Sequence, residues 1–396
     1  MKRLFFIFLL SIFGGILFAQ SVELAFYTEA YNHSQTIREQ LVFVRNIADG
    51  NYPGSEDFFA RALDRLMRMF PDITERSEMD AADSIALIVA NRLGEARHTP
   101  SALSLLNMVN SFANSHVRAE ALMAIGKIGD MAFFPHVRQL LLDLNTRPQS
   151  DRTTRDNAEN TASGAIISLG HFGAPEGYMP VFLAYTGWYA QRVRNLAAAT
   201  MSELMSDPTE PLIEVITATG FSYDIKHSAL RASEMSDSTD ENKARVAVAA
   251  LAEGWKHQVT EVRQRQELAQ MRKLALTMLR RYGTEDNSVY PLLDRSFNNG
   301  DMDEKLVTLH VLNTLPTPDS ARLLSGYLRN IHQRRLNNTL TSQDEQLVRV
   351  IIPALGNVGS MDRAASRPIL LLIRNAPNWQ STIQRLATDA LDRIGV

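Results

Sequence analysis

Two pairs of arginines are the residues of this chain best suited to recognise a charged partner. Arg322-Leu-Leu-Ser-Gly-Tyr-Leu-Arg329-Asn and Arg367-Pro-Ile-Leu-Leu-Leu-Ile-Arg374-Asn each place two guanidinium groups seven residues apart. Seven residues are two helical turns, so each pair shares a helix face. A guanidinium is a planar fork that matches a carboxylate, so a row of them selects an acidic protein surface. Arg295, upstream, extends the row; the plain alternative is solvated arginine beside a buried leucine stripe. Aromatic residues supply a second candidate. Tyr178, Phe182, Tyr185 and Trp188 follow one another at spacings of four, three and three, with Tyr189 alongside. Such a stripe is usually core; where it surfaces it anchors partners. Trp188 and Tyr189 are the members expected to reach the surface, and Tyr185 joins them as a candidate partner contact.

Catalytic and metal chemistry finds little to work with. Cysteine is absent, which removes disulfides, thiolate catalysis and every Cys-ligated metal site. None of the nine histidines forms the helical His-Glu-x-x-His pattern of zinc proteases. His116 and His136 flank one turn, but neither has a carboxylate or His partner at ligand spacing, and both read as polar helix starts. No Gly-x-Ser-x-Gly or Walker loop occurs. The run Asn298-Asn-Gly-Asp-Met-Asp303 fails as a calcium loop because its first ligand would be Arg295. Asp301 or Asp303 capping the next helix accounts for it better. No cofactor is expected.

The elements that carry these residues are announced by turns. His116 to Asp130 contains an apolar stripe at Ala121, Leu122, Ala124, Ile125 and Ile128, then Gly126-Lys-Ile-Gly129, then Pro135. Gly170-His-Phe-Gly173 and Gly356-Asn-Val-Gly359 repeat the theme. Equivalent turns fall at Gly50, Gly94, Gly129, Gly173, Ser206, Ser236, Gly283, Pro316, Gly359 and Gly395. Their intervals of 44, 35, 44, 33, 30, 47, 33, 43 and 36 residues suit two helices and two short connections. A glycine just past an apolar stripe fits a left-handed helix cap, and a proline soon after starts the next helix.

These residues resemble the HEAT-repeat family in its short bacterial form, over most of Ser34–Val396 and most closely at Gly129, Gly173 and Gly359. The resemblance implies an all-α fold, a right-handed α-solenoid of about ten helical pairs. It implies that second helices line the concave wall, where both arginine pairs would stand. It also implies an ion-pair ladder, with Asp130, Asp207 and Asp237 and with Arg118, Arg194 and Arg349 at the matching positions. Iron-binding members carry His-Glu dipeptides; no histidine here is followed by Glu.

Residues 1–19 read as a secretory signal peptide: basic Lys2-Arg3, the apolar run Leu4–Phe18, then Ala19 before polar Gln20. The run is shorter than a membrane-spanning helix needs, so an uncleaved anchor is the lesser alternative. Residues 20–33 form a lead-in and 34–396 the repeats. Without Lys2 and Arg3 the chain has 39 basic and 44 acidic side chains, net −5, which argues against nucleic-acid binding. The expectation is a non-catalytic scaffold in the periplasm or outside the cell, holding a protein partner with acidic groups. The alternatives are a lyase-like or hydrolytic enzyme using carboxylates, and a permanent structural subunit of an envelope or motility assembly.

Overall fold

The computed structural model describes residues 21–256 and 259–395, so the expected signal segment lies outside the described residues. Those residues are all-helical, with no strand among them. A first helix, α1, covers 21–33. Then follow α2 (Ile37–Gly50), α3 (Glu56–Met69), α4 (Arg76–Glu95), α5 (Ala102–Ser111), α6 (Ser115–Ile128) and α7 (Phe134–Asn145). Next come α8 (Arg152–Phe172), α9 (Tyr178–Thr186), α10 (Gln191–Leu204), α11 (Thr209–Thr217), α12 (Tyr223–Met235) and α13 (Asp240–Lys256). The remainder are α14 (Val262–Tyr282), α15 (Val289–Asn299), α16 (Met302–Thr314), α17 (Pro318–Leu336), α18 (Ser342–Val358), α19 (Arg363–Asn375) and α20 (Ser381–Ile394). The chain divides into two compact units, Met1–Met205 and Ser206–Val396.

Within each unit helices pack on their partner in a hairpin and on the helix next but one. In the first unit α2, α4, α6, α8 and α10 form one layer, each helix lying on the next, and α3, α5, α7 and α9 cover it. In the second, α12, α14, α16, α18 and α20 form one layer while α11, α13, α15, α17 and α19 form the other. Helices of odd number pair tightly with the even helix that follows: α5 with α6, α13 with α14, α19 with α20. The glycine turns therefore join one hairpin to the next. That places α17 and α19, which carry the arginine pairs, as the first helices of their hairpins rather than the second.

Gly129 and Gly173 cap α6 and α8 in the left-handed region, at φ 75° and 63°. Gly359 does not: its φ is −65° and α18 runs on into a 3-10 turn. A methyl there would meet the movable end of Ile394, Cδ1, at 2.6 Å and Ser366 Cβ at 3.1 Å. Space also explains the first glycine of each motif. A methyl on Gly126 would lie 2.5 Å from Ser168 Cα in α8. Gly170 and Gly356 lie less tightly against Thr200 of α10 and Ala390 of α20, at 3.1 and 3.2 Å. Missing side chains let even helices approach at their crossings, and dispersion contacts replace the lost volume.

Polar side chains tie neighbouring even helices, though not through the expected ladder. None of Asp130, Asp207 or Asp237 pairs with Arg118, Arg194 or Arg349 among the described residues. Arg118 donates to the Val109 carbonyl at 3.0 Å and Arg349 to Gln380 Oε1 at 3.3 Å. Asp207 instead accepts from Ser238 Oγ at 2.7 Å and Asn242 Nδ2 at 2.5 Å. Amides and hydroxyls do most of the stitching: Asn114 to Asp83, Ser115 to Asn157, Asn357 to Asn313.

Candidate interaction surface

Thr317 starts α17 by accepting the Ser320 N–H, with Pro318 in the first turn where no amide hydrogen is needed. Asp362 caps α19 by accepting from Ala365 N at 3.1 Å. Leu324, Leu328 and Ile331 of α17, with Ile369, Leu370 and Ile373 of α19, face the core. Ser325 Oγ meets Ser366 Oγ at 3.2 Å, which fixes the register of the two helices at an offset of 41 positions. Subtracting that offset, Arg367 comes level with residue 326 and Arg374 with residue 333. The four arginines thus climb in a stagger, 322, 367, 329, 374, with roughly 5 Å between levels at 1.5 Å per residue.

All four side chains are exposed, but they differ in what they meet. Arg322 is committed, to Asp362 at 3.3 Å and Asp319 at 3.4 Å. It also borders a cleft of about 550 Å³ with Tyr290, Asp294 and Asp319. Arg329 and Arg367 have no ion-pair partner among the described residues. Among the described residues Arg374 donates only to the neighbouring Asn375, at 3.2 Å. Beside the arginine row runs the outer face of α19. There Met361 in the preceding turn and Leu372 are each 47% exposed, with Ala364 and Pro368 exposed between them. Positions 361, 364, 368 and 372 recur at three and four, which makes one stripe. An apolar stripe bordered by unneutralised cations can hold an amphipathic acidic segment by burial and by charge together.

Arg295 does not extend this row. Its guanidinium lies 5.3 Å from the centre of the Trp255 ring, which Arg272 also covers at 4.0 Å. The aromatic segment is likewise mostly core. Tyr178 and Phe182 are buried, and Tyr189, expected at the surface, is 2% exposed. Chain direction explains the difference: α9 ends at Thr186, so Trp188 and Tyr189 sit in the bend beyond it rather than on its stripe. Trp188 stacks on Tyr189 at 4.3 Å and donates its indole N–H to the Leu144 carbonyl at 3.2 Å. Tyr185 is half-buried. His116 and His136 are both exposed.

Two interior ion pairs were not anticipated. Lys226 Nζ meets Glu253 Oε1 at 2.5 Å with both side chains 2% exposed. Arg272 meets Glu304 Oε1 at 2.7 Å, and Glu304 closes a capping box with Asp301. A signal for the first did exist: Lys226, Ala229, Leu230 and Ser233 share the buried stripe of α12. Asp301 caps α16 as the sequence suggested. No known family model matches this chain, and no curated protein is significantly similar to it.

Proposed function

We propose that the protein is an exported HEAT-type solenoid, right-handed, that holds a protein partner against the α17–α19 face without chemistry. One observation carries the reading: Arg329, Arg367 and Arg374, with no acidic partner among the described residues, border an exposed apolar stripe. Layered packing of odd and even helices supports a repeat scaffold, whose use is to present a pre-formed surface. Lys2-Arg3, the run Leu4–Phe18 and Ala19 support export. The enzyme alternative gains nothing from the Lys226–Glu253 pair, which is sealed from any substrate.

The partner recognised on this basis is acidic, and the attraction falls as salt screens it. A photo-crosslinker in place of Leu372 tests the reading in cells. It should trap a protein in the envelope fraction, and less of it when Arg329, Arg367 and Arg374 become Gln. A crosslinker in place of the exposed Arg385 on α20 serves as control. Equal trapping at both positions, or indifference to the three arginines, would sink it.

A further inference from the structure

The chain's opposite end carries a face that matches this one. Helix α1 is held to the fold by Tyr31, 3% exposed and edge-on to Phe58 at 5.1 Å. Its other side is bare: Val22 is 58% and Phe26 66% exposed. Positions 22, 26, 29 and 33 recur at four, three and four, so Glu29 and His33 continue the same face. Among the described residues Glu29 reaches only His33, at 2.9 Å, and it is 70% exposed. The face is apolar at one end and acidic at the other.

Charge separates along the sequence in the same sense. Residues 21–75 hold five arginines and nine carboxylates, net −4. Residues 318–395 hold ten arginines and six carboxylates, net +4. A chain acidic at its head and basic at its tail attracts the other end of its own copies.

We infer that the α17–α19 face takes helix α1 of a second copy, in a head-to-tail contact. Val22 and Phe26 lie along the Ala364–Pro368–Leu372 stripe, and Glu29 comes to the unneutralised arginines. The inference rests on the surface reading above and names its occupant. Each copy offers one face and receives on another, so the contact is heterologous and leads to chains or rings rather than closed pairs.

Sedimentation of the purified full chain tests this. At low salt its mass should rise with concentration, and added salt should reverse the rise. Changing Arg329, Arg367 and Arg374 to Gln should weaken self-association several-fold, since the cations that Glu29 meets are lost. Phe26→Asp and Leu372→Asp alter exposed positions, so thermal melts should be unchanged. Each variant alone should be monomeric, since each lacks one half of the contact. Mixed, the Phe26→Asp copy still has its α19 face and the Leu372→Asp copy its α1 face, so a 1:1 dimer should form and grow no further. A mixture that stays monomeric would overturn the inference, and so would a wild-type chain monomeric at every concentration. In that last case, trapping of a different protein at position 372 keeps the scaffold reading alone; no trapping removes both.

Discussion

Trp379 donates its indole N–H to Nδ1 of His332 at 3.0 Å, and both residues are buried. A ring nitrogen that accepts a hydrogen bond carries no proton, so the fold holds His332 neutral. Burial pushes its pKa below the ordinary value of 6.5.

The sign of the pH dependence follows. A histidine depressed in the folded state binds its proton more readily unfolded, so stability is full above about pH 6.5 and falls as pH drops toward the folded value. His227, lowered by burial and next by Arg231, adds in the same direction. Urea midpoints should therefore fall between about pH 7 and pH 5. In His332→Gln that fall should be shallower; an unchanged slope would mean that His332 is not the group being titrated.

Glycines should separate into three kinds. Gly126→Ala forces a methyl against the Ser168 backbone and should cost about 1–3 kcal/mol. At Gly129, φ is positive, so Gly129→Val should cost about 1–3 kcal/mol through strain at the α6 cap. Gly326 lies inside α17 with open space around it, so Gly326→Ala should stabilise by about 0.5–1 kcal/mol. Denaturant melts of the three variants check the ranking, and a destabilised Gly326→Ala would contradict the α17 geometry.

Lys226→Met should be severe. It leaves Glu253 buried with Lys256 at 3.5 Å as an exposed counter-ion, and should cost about 3 kcal/mol. Adding Glu253→Leu should recover most of that loss, because two apolar groups need no pairing. A double variant no better than the single would show that Glu253 has a role apart from Lys226.

Replacing Arg322 with Gln offers an internal control for the partner surface. Its charge is already met by Asp319 and Asp362, so it should weaken capture less than Arg329→Gln or Arg367→Gln. Binding measured at low salt checks the order, and equal losses would mean that the ion pairs open on binding.

Helix positions were legible because turns with glycine or proline interrupt apolar stripes at a regular spacing. Gly129 and Gly173 could be read since left-handed backbone leaves few other choices. Hairpin pairing could not: the link from α6 to α7 and that from α7 to α8 are both short, and only packing tells which pair is tight. Gly126 looked like a turn residue because proximity to Ser168, 42 positions on, leaves no local trace. Tyr189 was misplaced for a similar reason, its burial depending on where α9 stops. Among the site residues, arginine exposure was readable from spacing, whereas Arg322's partner Asp362 lies on another hairpin.

Packing that stays within a hairpin and between adjacent hairpins has a kinetic consequence. Trp379 to His332 is the longest reach among the hydrogen bonds described above, 47 positions, and most of the rest are shorter. Loop-closure entropy is then small at every step, so each unit should assemble quickly from any adjacent pair of hairpins and add others by extension. Disassembly runs the same way. The outermost hairpins have a neighbour on one side only, and hydrogen exchange should be fastest in α19 and α20, slowing toward α14.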